Sequence, residues 1–271
     1  MTTKSQDNSY FLSTVLSQGM DDHLASLRYA GMIQQALMPD AGILKSLFKD
    51  YFVLFLPKDI VSGDFYYTFS SRQQLCIAAG DCTGHGVPGA LLSILGISFL
   101  NEILQLRGDL KANRVLNRMR EKVKKALHQT DERSETKDSI DISFCIFDSS
   151  TGILQYSGAN RPMIRVRNGL LTEFKPDKMT IGLAPLVEHS FTNHIIDTLP
   201  GDTFYMFSDG FYDQFSELTD KKFKYKQLKL VIESIAGLSL SRQKEYLEDT
   251  FNDWKGNYQQ IDDVLIFGFQ L

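Results

Sequence analysis

Residues 74–93 read Gln-Leu-Cys-Ile-Ala-Ala-Gly-Asp-Cys-Thr-Gly-His-Gly-Val-Pro-Gly-Ala-Leu-Leu-Ser. The apolar run 74–80 predicts a buried strand, and it stops at Gly80-Asp81, so the strand carries a single carboxylate to the edge of a sheet. Gly84 and Gly86 then allow the chain to turn. Pro88 suits the first turn of a helix that begins near Val87, and the N-terminus of that helix points back at the Asp81 loop, where it can help attract an anion. The helix predicted over 87–106 contains the most apolar stretch of the chain, Ala90 to Leu106. Ser93, Gly96, Ser98, Asn101 and Glu102 interrupt that stretch, so it is read as a buried helix of the core and not as a membrane span.

The same arrangement of an apolar run beside an aspartate recurs three times. It appears as Val-Ser-Gly-Asp-Phe-Tyr around Asp64, as Tyr-Met-Phe-Ser-Asp-Gly around Asp209, and as Gln-Ile-Asp-Asp-Val-Leu-Ile-Phe around Asp262 and Asp263. Glycines flank three of the four sites: Gly63 before Asp64, Gly80 before Asp81, and Gly210 after Asp209.

Short runs rich in aromatic and β-branched residues predict strands at 51–56, 64–69, 74–80, 141–148, 153–157, 163–167, 192–197, 203–207 and 263–269. Helical spacing predicts helices at 10–38, 87–106, 112–128, 225–236 and 242–254. Ser-Thr-Gly at 150–152 and Asn-Gly at 168–169 read as hairpin turns, and the wholly polar 129–139 reads as a mobile loop. Strands therefore come in groups with helices between and after them, which suits layered antiparallel sheets flanked by helices better than a βαβ order. Pro39 closes the first helix and marks the one boundary in the chain. Residues 1–39 form an N-terminal helical segment, read as packing on its own domain or as a dimerisation or signal-relay helix, and 40–271 form the main domain.

The chain has 271 residues, is 43% hydrophobic and carries a formal net charge of -4. That balance argues against binding a phosphate backbone, which rests on a surplus of Lys and Arg. The three cysteines, Cys76, Cys82 and Cys145, are odd in number, and a start without a basic, then apolar, leader is the second of two features that fit a reducing cytoplasm. The expected location is cytoplasmic, with neither nucleic acid nor membrane as a partner.

Several carboxylates can be gathered at close range only around strong positive charge. A set of oxygen ligands without accompanying His or Cys suits magnesium or manganese better than zinc. A pair of such ions activates water for in-line attack at phosphorus. No Gly-x-Ser-x-Gly elbow, recognisable Cys/His pair or Walker loop offers another route.

Five motifs in order carry a family resemblance: Val-Ser-Gly-Asp-Phe-Tyr, Gly-Asp-Cys-Thr-Gly-His-Gly-Val-Pro-Gly-Ala-Leu-Leu-Ser, Tyr-Ser-Gly-Ala-Asn-Arg-Pro, Gly-Asp-Thr-Phe-Tyr-Met-Phe-Ser-Asp-Gly-Phe-Tyr-Asp-Gln-Phe and Ile-Asp-Asp-Val-Leu-Ile-Phe-Gly. Together with Gln34 to Pro39 they resemble the bacterial SpoIIE/RsbU-type branch of the PP2C (PPM) serine/threonine phosphatases. The resemblance implies an α+β fold, an αββα sandwich of two antiparallel sheets flanked by helices, with an N-terminal helical extension. It implies a protein serine/threonine phosphatase that uses two Mn²⁺ or Mg²⁺ ions and a metal-bridging hydroxide. Asp81 would bridge both ions and the backbone carbonyl of Cys82 would bind one. Asp209 and Asp262 would hold the other, with Asp263 as the alternative to Asp262, and Asp64 would bind directly or through metal-bound water. Gly63, Gly84, His85 and Asn160 would lie around the substrate or behind the ligands. His85 is read either as a general acid or as a loop-packing residue, and Asn160 either as a phosphate- or water-orienting residue or as a turn former.

The chain departs from this pattern in two places. No residue matches the phosphate-gripping arginine that eukaryotic relatives carry near the N-terminus, and Ser216-Glu217 stand where the branch often has Gly-Gly. By family analogy the substrate is a phosphorylated STAS-domain regulator, and the first helix forms a homodimer or relays a signal. Two alternatives stay open: a low-turnover scaffold of the same fold, and a small-molecule phosphoesterase.

Overall fold

The computed structural model describes residues 21–71, 73–105, 110–130, 134, 136–183 and 189–271. Two five-stranded sheets lie face to face between helical layers. In the first the order is β1 (Asp50–Leu56), β10 (Val264–Gln270), β9 (Thr203–Phe207), β6 (Met163–Arg167) and β7 (Leu170–Phe174). In the second it is β2 (Phe65–Ser71), β3 (Gln74–Cys82), β4 (Ile140–Asp148), β5 (Ile153–Ala159) and β8 (His194–Asp197). Every pairing between neighbouring strands is antiparallel.

Side chains alternate across each strand, so a strand covered on both faces reads as a continuous apolar run that feeds two cores at once. On β3, Leu75, Ile77 and Ala79 point between the sheets, whereas Cys76 and Ala78 face the outer helices. On β10, Leu265, Phe267 and Phe269 fill the same central layer, and Val264 and Ile266 face outward. The second sheet is covered by α3 (Gly86–Leu104) and α4 (Ala112–Ala126), the first by α6 (Tyr225–Ile235) and α7 (Leu240–Lys255). Among the described residues α3 is long and apolar enough to cross a membrane, but half of it is buried within the protein, with Ile97, Leu100, Ile103 and Leu104 in the core. The expected αββα sandwich is thus borne out, and the three cysteines are free and buried.

Three elements escaped the sequence reading. Strand β7 is only half-buried and sits at a sheet edge, so it lacks a strong apolar signature. Helices α2 (Ala41–Leu47) and α5 (Gly210–Asp213) are too short for their periodicity to register; α2 is started by Asp40, whose Oδ1 accepts the Ile43 N–H at 2.8 Å. Part of the predicted helix 10–38 and part of the predicted loop 129–139 lie outside the described residues. Residues 21–37 are helical and make up α1. Its inner face is tied to the sandwich by Gln34, which is buried: Nε2 donates to the Ser62 carbonyl at 2.5 Å and to Ser93 Oγ at 2.8 Å, and Oε1 accepts the Ser62 N–H at 3.0 Å.

Gly80 shows how the local sequence places the first carboxylate. It lies opposite Phe65 in the β2–β3 register, and a Cβ there would sit 2.3 Å from the Phe65 ring. The ring lies over the glycine, locking β2 on β3 one residue before Asp81.

Candidate metal centre

Strand ends from both sheets converge on one rim of the sandwich. Asp64 immediately precedes β2, and Asp81 lies near the end of β3 opposite Asp141 at the start of β4. From the other sheet, Asp209 follows β9 as the N-cap of α5, and Asp262 and Asp263 immediately precede β10. Antiparallel order explains the convergence, since the end of one strand and the start of its neighbour share an edge. Gly210 keeps the β9 and β10 ends together: a Cβ there would stand 1.9 Å from the Asp263 carbonyl oxygen.

The adjacent aspartates are distinguished by their partners. Asp263 is buried, and both its oxygens accept backbone N–H groups, Oδ1 from Lys58 and Oδ2 from Gly63, each at 2.7 Å. Its carboxylate therefore pins the loop before Asp64 to the start of β10. Asp262 is half-buried; Oδ1 accepts the Asp263 N–H at 2.9 Å, and the side chain feels the charge of Asp209. Asp64 is fully enclosed, with Ser208 Oγ donating to its Oδ2 at 2.5 Å while accepting the Leu265 N–H at 2.9 Å.

Two further residues, Arg161 and Asp141, which the sequence reading did not select, complete the cluster. Arg161 lies on the connection from β5 to β6, where the chain crosses from one sheet to the other, and is buried. Its Nη2 donates to Asp209 Oδ2 at 2.5 Å, lies 2.7 Å from Asp81 Oδ2 and is 3.5 Å from Asp141 Oδ2. Nη1 donates to Tyr212 Oη at 3.0 Å. The contact with Asp81 is close but lacks hydrogen-bond alignment, and Asp81 Oδ2 has no hydrogen bond among the described residues. Asn160, in the left-handed region at φ 54°, donates from Nδ2 to Asp141 Oδ1 at 2.9 Å, so it is a turn former that also holds a carboxylate of the cluster. The signals were present in the sequence: a lone Arg at the end of a buried hairpin strand, and a lone Asp in the apolar run Ile-Asp-Ile-Ser-Phe.

Crowding shows in the acidities. Burial, then the charge of Asp81, pushes Asp64 well above the ordinary carboxylate range. Burial pushes Asp81 up to about 8; Arg161 opposes the shift, and Asp209, Asp141 and Asp262 reinforce it. Asp141 and Asp262 are raised as well, again chiefly by burial. Burial alone would lower the Arg161 guanidinium, but Asp81 and Asp209 hold it above its usual value. One guanidinium does not balance this many carboxylates, so the cluster has unmet demand for positive charge.

That demand, an all-oxygen donor set and an Asp81 Oδ2 without a hydrogen bond among the described residues fit hard divalent cations. The carboxylates nevertheless converge on Arg161: among the described residues no three His, Cys, Asp or Glu side chains close around a single ion's position. The His85 ring pairs with Asp59 and with none of the cluster aspartates. It is exposed, and its Nδ1 is 2.9 Å from Asp59 Oδ2. Gly84, at φ +82°, shapes the loop whose carbonyl meets Gly63: a Cβ on Gly63 would be 2.6 Å from it. Cys82 is buried at the end of β3, and burial raises its thiol.

Two antiparallel sheets between helical layers, with aspartates from both sheets on one rim, define a PP2C-type phosphatase fold. The profile of the stage II sporulation protein E (SpoIIE) family matches residues 71–271. The chain belongs to that family, and its class is that of the PP2C-type protein-serine/threonine phosphatases. The SiaA-PP2C domain of Pseudomonas aeruginosa is similar at 26% identity and TM-score 0.83, over 93% of this chain and 98% of that one. The PP2C domain of SpoIIE from Bacillus subtilis, with a fragment of its regulatory domain, shares the fold at 18% identity and TM-score 0.65, over 82% of this chain and 63% of that one. The RsbU and RsbW domains of Rv1364c from Mycobacterium tuberculosis share it at 18% identity and TM-score 0.61, over 82% and 59%. The catalytic domain of the serine/threonine phosphatase PstP, solved with two manganese ions, shares it at 14% identity and TM-score 0.55, over 80% and 96%. No curated protein sequence matches the chain.

Proposed function

We propose that this protein is a divalent-metal-dependent phosphatase that removes phosphate from phosphoserine or phosphothreonine on a regulatory protein. The observation that carries the reading is the convergence of Asp64, Asp81, Asp209 and Asp262 on one rim from strand ends of both sheets. The PstP complex supports two manganese ions as the cofactor, and hard oxygen donors also suit magnesium. Bound there, such ions supply charge neutralisation and a water acidified for attack on phosphorus.

The chain's own residues prepare the site. Asp81, near the end of β3, would serve both ions, with the backbone carbonyl of Cys82 as a further ligand. Asp209 and Asp262 would hold the second ion, and Ser208 orients Asp64 by donating to its Oδ2. Asp263 holds the loop, each of its oxygens accepting a backbone N–H, and the ligand role is assigned to its half-buried neighbour Asp262.

The RsbU and RsbW relatives support a regulatory protein as substrate, and a phosphorylated STAS-domain protein is the candidate. Helix α1 exposes Tyr29, Met32, Ile33 and Leu37 on its outer side, which supports its reading as a dimerisation or signal-relay helix. The location we assign is the cytoplasm.

The test is phosphate release from a phosphoserine protein or peptide and, in parallel, from nucleotides, with and without Mn²⁺, for wild type, Asp81→Asn and Asp209→Asn. Metal-dependent release from the peptide, lost in both variants, is the expected result. Preference for nucleotides, or turnover that survives both substitutions, overturns the reading.

A further inference from the structure

We propose that Arg161 is a resident counter-cation of this site, whose guanidinium competes with divalent metal for Asp81 and Asp209. Loading the site with metal then requires the guanidinium to give up these carboxylates, so Arg161 sets the metal affinity. The inference rests on the reading of the aspartate cluster as a metal centre.

The geometry is that of a cation held in a carboxylate cage. Arg161 Nη2 lies within 3.5 Å of oxygens from Asp81, Asp209 and Asp141, which come from both sheets. A guanidinium at this range fills the space in front of the lone pairs that a metal ion would use, and the same oxygens cannot serve both at once.

The anchoring of Arg161 is divided between a fixed backbone and a releasable head. Its carbonyl accepts the Tyr156 Oη–H at 2.7 Å in the core, and the neighbouring Asn160 is tied to Asp141. The head has one neutral anchor, Tyr212 Oη, and its Nε has no hydrogen-bond partner among the described residues. Asp209, one of its two closest carboxylates, is 28% exposed, so the guanidinium lies near the open side of the cluster. Displacement therefore requires rotation of one long side chain and no change in the strands.

The experiment is titration calorimetry of the full chain, stripped with chelator, with Mn²⁺ and with Mg²⁺, for wild type, Arg161→Met and Tyr212→Phe. Arg161→Met keeps much of the side-chain volume and removes the charge. It is expected to bind Mn²⁺ on the order of tenfold or more tightly than wild type, from the Coulomb interaction of unit charges at this range. Its metal-free form is expected to melt lower than wild type and to gain more on saturation. Equal or weaker metal affinity in folded Arg161→Met overturns the competition.

Two further measurements cover a variant that does not fold. Tyr212→Phe removes one anchor of the head and touches no carboxylate, so it is expected to shift affinity in the same direction by a smaller factor; unchanged or weakened affinity overturns the idea. In wild type the ¹⁵Nε resonance of Arg161 is expected to move on Mg²⁺ addition, and a resonance unmoved at saturation overturns it. If wild type and variants alike bind neither ion, the metal-centre reading itself falls, and this inference with it; if they bind equally, only the competition falls.

Discussion

Replacing Asp263 by Asn separates two neighbouring carboxylates that the chain alone presents as equivalent. The Asp263 carboxylate is buried and accepts two backbone N–H groups at 2.7 Å, from Lys58 and Gly63. A carboxamide has one acceptor oxygen, so its NH₂ group would face one of these N–H donors. The loss is one charge-assisted hydrogen bond plus a buried donor left unpaired, a combined cost of about 2–4 kcal/mol. At roughly 2–4 °C per kcal/mol for a domain of this size, the metal-free protein should melt about 5–15 °C lower. Asp262→Asn should behave oppositely. Its Oδ1 can still accept the Asp263 N–H, and the substitution removes a charge repelled by Asp209, so metal-free stability is kept or rises while the stabilisation by Mn²⁺ is lost. Thermal melts followed by circular dichroism, with chelator and with Mn²⁺, read both effects. Asp263→Asn melting within about 2 °C of wild type, against the 2–4 °C that each kcal/mol is worth, would refute the anchoring argument. An intact Mn²⁺ response in Asp262→Asn would refute its assignment as the ligand.

Further predictions follow from the same geometry. The raised carboxyls of Asp64, Asp81, Asp141 and Asp262 bind protons more tightly folded than unfolded, so their contribution to metal-free stability should be full below the unfolded value of about 3.9 and be lost as pH rises through about 8, where Asp81 lies. Metal binding needs the ionised carboxylates, so the Mn²⁺-induced rise in Tm should grow across that window; a rise that shrinks instead would contradict the assignment. Ser208→Ala removes the donor to Asp64 and the acceptor for the Leu265 N–H, and should cost about 1–3 kcal/mol in urea unfolding. Gly210→Ala places a Cβ against the Asp263 carbonyl and should weaken Mn²⁺ binding and stability together, as calorimetry and melts would show. Met32→Glu with Ile33→Glu on the exposed side of α1 should reduce the sedimenting mass if that helix dimerises; an unchanged mass removes the dimer.

Much of this architecture is legible in the chain because its signals are local. Strands buried on both faces leave unbroken apolar runs such as 74–80 and 263–269, and glycine-flanked aspartates at their ends mark the rim. Periodicity likewise gives α4 and α6, whose apolar stripes must meet a sheet. Local signals fade where burial is partial or the element short, which is why β7, α2 and α5 were missed. Pairings across the sandwich leave still less trace. Which of Asp262 and Asp263 is engaged by backbone depends on Lys58 and Gly63, some two hundred positions away in sequence. His85, the residue that its glycine-rich loop most advertises, turns to Asp59 at the surface, while Arg161 reaches Asp81 and Asp209 from a hairpin end. The amino-acid sequence by itself determined the layers, the strand ends and the oxygen chemistry, because hydrophobic periodicity and turn residues act over a few positions. Tertiary structure alone decided which charges meet, because ion pairs and buried hydrogen bonds depend on distances that only the closed sandwich sets.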